Sequence, residues 1–165
     1  PKFAAQAIRK AYEIGWRPMT FLSNVAVWIS TVMEPAGVEA GTGIISTAYV
    51  KDPDDPAWKD DAGVKAWREF MIKYVPDGDL HDTNYVNSYN SAMALEAVLK
   101  ACGDDLSTEN ILKQAYAIRD LELPMLLPGI KVNTSPADHV PVDQMQFMRF
   151  NGKTWERFGE LLTGN

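Results

Sequence analysis

The feature that most constrains this chain is a change of rhythm at residues 51–56, "KDPDDP". Before this segment the sequence alternates helix, strand, helix, strand. After it, two or three helices follow one another with no strand between them. Proline fixes φ and pushes the residue before it out of the helical region. Pro53 and Pro56 therefore prevent the preceding strand, "GIISTAYV", from running on into the helix that begins near Trp58. A core strand that empties into a stiff acidic link, followed by helices without a sheet of their own, implies a chain that leaves one layered unit and covers another.

The individual elements follow from apolar spacing. Phe3, Ala7, Ile8, Ala11 and Tyr12 share one face and predict a helix over Pro1–Ile14, stopped by Gly15. Met19–Leu22 reads as a short buried strand. Val25–Met33 reads as a second helix, opened by Ser23 or Asn24 and closed by Pro35 and Gly37. Gly43–Tyr49 is the next strand, completing the pattern of a parallel α/β layer. Beyond the acidic link, Val64, Trp67, Met71 and Tyr74 mark a helix over Asp61–Tyr74. Asp82 or Thr83 caps one over Thr83–Ala101, ended by Gly103, and Ser107 caps one over Thr108–Arg119. "GIKVN" and Gln144–Phe150 read as strands, and Asn151-Gly152 supplies the positive-φ pair of a type I′ hairpin into "KTWERF".

Composition narrows the function. A net charge of −6 and the absence of a Lys/Arg run argue against a nucleic-acid partner. No stretch approaches the ~20 apolar residues that span a bilayer. The lone Cys102 leaves no internal disulfide and no cysteine zinc site, and reads as a small core residue at a helix end. There is no Gly-rich phosphate loop after a strand and no Ser-centred nucleophile elbow, so no catalytic residues are assigned. "LHDTN" offers His81 and Asp82 to a metal, but Asp82 as a helix cap is the stronger reading. "DPDDPAWKDD" fails as a calcium loop: Pro56 falls on a ligand position, and the turn Gly and the final Glu are missing. The acidic link is expected to be solvated, with no metal and no cofactor. The chain opens at Pro1, without Met and directly on a helical pattern, which reads as the middle of a longer chain.

One site survives. "FLSNV" places Ser23 and Asn24 at a strand end just before a helix, where open α/β sheets bind ligands and where free backbone N–H groups favour an anion. Either the pair lines a ligand crevice or one of the two residues merely caps the helix; both readings stand.

Taken in order, "AAQAIRKAYEIGWRPMTFLSNVA", "GIISTAYVKDPDDPAW", "FMIKYVPDGDLHDTNYVNSYNSAMALEAVLKACGDDLSTENI" and "LPGIKVNTSPADHVPVDQMQFMRFNGKTWE" resemble the solute-binding proteins of ABC importers, in particular the branched-chain amino acid (Leu/Ile/Val) group of type I periplasmic binding proteins. The resemblance implies an α/β fold of two doubly wound lobes joined by three crossovers, here an incomplete C-terminal portion. Residues 1–50 would end the second lobe, 51–127 would return helices to the first lobe, and 128–165 would form the third crossover and closing hairpin. It implies a non-enzymatic, periplasmic binder, with its signal peptide outside this sequence. The ligand would be an amino acid or small carboxylate held in an interlobe cleft, and the partner an ABC permease. A ligand-sensing receptor domain is the alternative role. Carried onto this chain, the family's ligand contacts fall at Lys2, Phe3, Ser23, Asn24, Tyr49 and Tyr85. The amino-acid binders of the family set an acidic residue of the second lobe against the ligand's ammonium. "LSNVA" has Ser and Asn there, which brings in aromatic and aliphatic acids as competitors. Without its missing sheet the chain is expected to expose Trp67, Met71, Tyr85 and Tyr89 and to self-associate.

Overall fold

The computed structural model describes residues 2–164. Helix α1 (Lys2–Glu13) leads to a 3-10 turn (Asn24–Ala26) and a π-helical turn (Ile29–Met33). Two short helices follow, α2 (Glu34–Ala36) and α3 (Val38–Gly41), and then strand β1 (Ile45–Ala48). Past the acidic segment come α4 (Ala62–Tyr74), α5 (Asn84–Cys102), α6 (Thr108–Ala115) and the strands β2 (Gln144–Phe150) and β3 (Trp155–Thr163). The strands form one antiparallel sheet in the order β1-β2-β3.

The expected parallel layer is reduced to its margin. Residues 20–22 run parallel to β1 through Leu22 N–H to Ile45 O at 2.9 Å and Ile45 N–H to Thr20 O at 3.0 Å, with a single bridge at Phe21. Met19 and Phe21 are 79% and 65% exposed, so Met19–Leu22 is not the buried strand the sequence predicts. Its outer edge has no neighbouring strand among the described residues, and one ladder alone does not fix a strand. "GIKVN" likewise forms only an isolated bridge, Leu121 to Val132.

The predicted helix over Val25–Met33 is broken. Val27 ends the first turn and Trp28 is extended (φ −65°, ψ 134°), so the chain restarts its helical turns at Ile29. Asp52 explains the restart. Its Oδ2 accepts the Ile29 N–H at 2.8 Å, capping these turns from 23 residues away. Only local caps are visible to sequence spacing, which is why the helix read as continuous. Gly37 (φ 95°) closes α2 as expected.

The α1 face also differs from its sequence reading. Ala5 and Ile8 are buried, whereas Phe3 and Tyr12 are 81% and 43% exposed. Of the predicted caps, Ser107 holds, and of the pair before α5 Asp82 accepts the Asn84 N–H while Thr83 makes no side-chain cap. Asp61 accepts from Val64 N–H, Ser107 from Asn110 N–H, and Gly103 (φ 60°) ends α5 beside the buried thiol of Cys102. Helix α6 stops at Ala115, short of the predicted Arg119.

The hairpin is present, but its turn is not type I′. Phe150 pairs with Trp155, leaving a four-residue loop, 151–154. Asn151 does not adopt positive φ. Its carboxamide oxygen instead accepts the N–H groups of Lys153 and Thr154, a side-chain solution to the same reversal. A bulge between Gln146 and Phe147 is matched by Gly159 (φ 71°) on β3, and the Gln146 amide donates to the Phe158 and Gly159 carbonyls.

One apolar cluster joins these parts. It includes Ile8, Val32, Met33, Met148 and Phe150, and reaches Trp67 and Met71 of α4, Val86 of α5 and the stretch Leu123–Leu127. Helix α4 is therefore not left without a surface. Trp67 is 0% and Met71 2% exposed, and Tyr85 and Tyr89 are half-buried against the same core, so the expected exposed stripe does not form. The backbone at Gly63 lies so close to Pro124 that an added Cβ would stand 2.3 Å from its carbonyl oxygen. The apolar surface that α4 does expose is Phe70, Ile72 and Tyr74.

Candidate functional site

Residues 51–55 do not form the solvated link their composition suggests. Lys51, Asp52 and Asp55 are all buried, at 7%, 7% and 3% exposure. Tyr49–Lys51 run beside 125–127, through Leu127 N–H to Tyr49 O and Lys51 N–H to Met125 O, both at 2.9 Å. Burial of so many charges demands partners, and each group has them. Lys51 Nζ donates to Asp61 at 2.9 Å and to the Pro124 carbonyl at 2.8 Å. Asp55 Oδ1 accepts from Ala57 N–H and the Thr154 hydroxyl, and Oδ2 accepts from Trp155 N–H at 3.0 Å. Asp54 accepts from His81 Nδ1 at 2.9 Å and lies 3.5 Å from the Arg68 guanidinium. Arg68 itself donates to the Pro53 carbonyl at 2.6 Å.

Beside this knot opens a cleft of about 590 Å³. Its walls are the 24–31 turns, the end of β1 with Tyr49 and Val50, the acidic segment, the 79–87 stretch that opens α5, and Leu127, Met148, Trp155 and Arg157. Trp155 is fixed by its indole N–H, which donates to the Val27 carbonyl at 2.8 Å. Trp58 lies between Lys51 Nζ at 5.5 Å and Arg157 Cζ at 4.9 Å from its ring centre. A size of several hundred Å³, aromatic walls and a few placed polar groups suit a small organic ligand.

Of the residues singled out from the sequence, Asn24 and Tyr49 line this cleft. Ser23 is exposed, does not line the cleft, and makes no side-chain cap to the following turn. Tyr85 packs against the core, and Lys2 and Phe3 lie exposed at the start of α1; none of these lines the cleft. The residues that sequence reading missed are Trp28, Asp52, Asp55, His81, Trp155 and Arg157. The signal for the acids was present in "DPDDP", which was taken for a solvated run. Nothing local marks Trp155 or Arg157. Among the described residues, no group of three or more His, Cys, Asp or Glu side chains is placed to hold a metal ion.

Burial pushes the Asp52 carboxyl up to about 6, helped by the neighbouring charges of Asp54 and Asp55 and opposed by the N–H groups of Ile29 and Asp54. The folded state thus holds the Asp52 proton more tightly than the unfolded chain. The stability this contributes is complete below pH 3.8 and is lost as the pH rises through about 6. Asp52→Asn, which keeps an acceptor for Ile29, is expected to flatten that fall. With its oxygen on the Ile29 N–H, its NH₂ faces the Asp54 N–H, so the flattened profile should lie below that of the wild type at pH 4. Urea unfolding of both proteins at pH 4, 5, 6 and 7.5 measures this, and parallel pH profiles would remove Asp52 as its source. The His81 imidazole is raised by its hydrogen bond to Asp54 and by that charge, but the group is exposed, so salt screens the pair.

Comparison with known proteins places this geometry. The sequence profile of a family described as "Periplasmic binding protein" matches residues 1–154. No curated protein matches the chain. Among solved structures, the chain resembles a branched-chain amino acid ABC transporter protein from Thermus thermophilus with bound valine, at 16% identity and a TM-score of 0.74 over 97% of this chain and 43% of that one. It also resembles a fatty acid ABC transporter substrate-binding protein from Thermomonospora curvata, at 21% identity and a TM-score of 0.63 over 99% of this chain and 41% of that one. A third likeness is to a branched-chain amino acid substrate-binding protein from Streptococcus pneumoniae in complex with isoleucine, at 16% identity and a TM-score of 0.60 over 98% of this chain and 42% of that one. The chain therefore spans about two-fifths of the length of these structures, and their likeness establishes its fold as part of a type I periplasmic binding protein. With 154 of its residues matched by the family profile, the chain belongs to the periplasmic binding protein family.

Proposed function

We propose that this chain is part of a solute-binding protein that carries a small amino acid or related small organic ligand to an ABC importer in the membrane. The protein is read as a binder that works in the periplasm, not as an enzyme. The observation that carries the reading is the cleft of about 590 Å³, whose walls combine a strand end, the turns after residue 23 and the opening of α5. Family membership supports it, as do the valine, isoleucine and fatty acid ligands named for structures of the same fold. On this reading 1–50 end one lobe, 51–127 return helices to the other, and 128–165 make the last crossing and the closing hairpin. The paired stretches 49–51 and 125–127 then lie at the hinge.

The test is titration calorimetry of the full-length protein against amino acids and against aliphatic and aromatic acids. One of these is expected to bind tightly, and Asn24→Ala and Tyr49→Ala are each expected to weaken it about ten-fold, near 1.4 kcal/mol. A full-length protein that binds no member of the panel would end the solute-binding reading. On the same reading the isolated chain lacks most of one cleft wall and should bind the same ligand weakly or not at all.

A further inference from the structure

We infer that Asp52 and Trp155 are positioning residues: from the two sides of Trp28 they hold a break in a helix-prone segment, and that break sets the shape of the cleft wall at residues 24–31. The inference rests on the solute-binding reading of the same cleft and assigns two residues that act on ligand affinity through that wall.

Apolar spacing predicts one helix over Val25–Met33, yet Trp28 is extended between the turn at Asn24–Ala26 and the turn at Ile29–Met33. In a continuous helix the carbonyl of residue 27 accepts from residue 31, and the N–H of residue 29 donates to residue 25. An extended Trp28 denies both bonds. Val27, Trp28 and Ile29 are all buried, so the two groups need partners other than water. Two distant side chains supply them. The Trp155 indole N–H donates to the Val27 carbonyl at 2.8 Å, and Asp52 Oδ2 accepts the Ile29 N–H at 2.8 Å. The clamps are themselves held. Asp55 accepts the Trp155 backbone N–H at 3.0 Å, and Asp52 Oδ1 accepts the Asp54 N–H at 2.9 Å.

Both halves of the broken segment line the cleft, with Asn24 and Val25 before the break, Thr31 after it and Trp28 at it. One extended residue turns the first half against the second. A healed helix would re-aim Asn24 relative to Thr31 and rotate the Trp28 ring. Removing either clamp leaves a buried backbone group that a continuous helix would satisfy, so the segment is expected to heal. Binding then draws on the minority of molecules with the wall in place, and affinity falls by that fraction whatever the ligand.

The experiment uses the full-length protein, with valine, leucine, phenylalanine, hexanoate and 3-phenylpropanoate as probes in calorimetry. Trp155→Phe keeps an aromatic ring and removes the donor; Asp52→Ala removes the acceptor. Each is expected to weaken every probe that the wild type binds by the same factor, about ten-fold. Each should also move the Trp28 backbone carbon shifts from extended to helical values in NMR spectra. Asp52→Asn, whose carboxamide oxygen still serves Ile29, should keep the extended shifts and the slow hydrogen exchange of the Ile29 amide. Three results overturn the inference while leaving the solute-binding reading intact: factors that differ between probes, affinity lost with the Trp28 shifts unchanged, and helical shifts with affinity unchanged. Should Trp155→Phe and Asp52→Ala fail to fold, the wild type still decides. Extended shifts at Trp28 with slow exchange at Ile29 support the clamped break, and helical shifts or fast exchange overturn it. Silence from all five probes overturns both readings.

Discussion

Asp55→Ala lowers the unfolding free energy by about 4 kcal/mol, and Asp55→Asn by nearly as much. Asp55 is 3% exposed and serves three donors, Ala57 N–H, the Thr154 hydroxyl and Trp155 N–H. Alanine leaves the buried Trp155 N–H without an acceptor, and an unmatched buried donor costs about 1–3 kcal/mol beyond the bond itself. Asparagine offers one oxygen where two are needed. If that oxygen faces Ala57 and Thr154, its NH₂ points at the Trp155 N–H; if flipped, the clash moves to Ala57. Urea unfolding followed by circular dichroism gives the ranking. A stable Asp55→Asn protein would show that neither the charge nor the second acceptor oxygen matters, and that counting acceptors misjudges this residue.

Trp67→Ala is the second large effect, about 4 kcal/mol. The side chain is 0% exposed in the middle of α4 and belongs to the cluster that joins α4 to Val86 and Met125. Removing so large a buried side chain forfeits its transfer energy and leaves a cavity. Trp67→Phe should cost much less, under about 2 kcal/mol. Among the described residues the buried indole N–H of Trp67 has no hydrogen-bond partner, so phenylalanine removes an unsatisfied group while keeping much of the volume. Equal losses for the two variants in thermal or urea unfolding would overturn the reading of this indole as an unsatisfied group.

The contrast between these two residues shows what the sequence reveals. Trp67 stands in a stripe with Val64 and Met71 at helical spacing, so its helix and its buried face were legible. So were the cap at Ser107, the β1 strand and the hairpin's position, because each depends on residues a few places apart. The chain order of these stretches also pointed to the family. What was hidden depends on distant partners. Asp52 breaks a helix it does not belong to, and Asp55 reaches a hairpin at the far end of the chain. An aspartate that takes backbone donors from afar has the same local pattern as one that faces water. The cleft suffered for that reason: Asn24 was found from its strand end and Tyr49 from the family resemblance, while Asp52, Asp55 and Trp155 were not.

The Asp55 bonds to Thr154 and Trp155 close loops of 99 and 100 residues. In a chain made from its N-terminus, residues 51–55 leave the ribosome long before their acceptors' donors exist. Ordering of Asp55 must wait for the hairpin, and loops this long are entropically slow to close. Folding of this region is therefore not vectorial: the helices of α4 and α5 form early from local contacts, and the acidic knot is tied last. A nascent chain stalled before residue 154 should hold helices but no cleft.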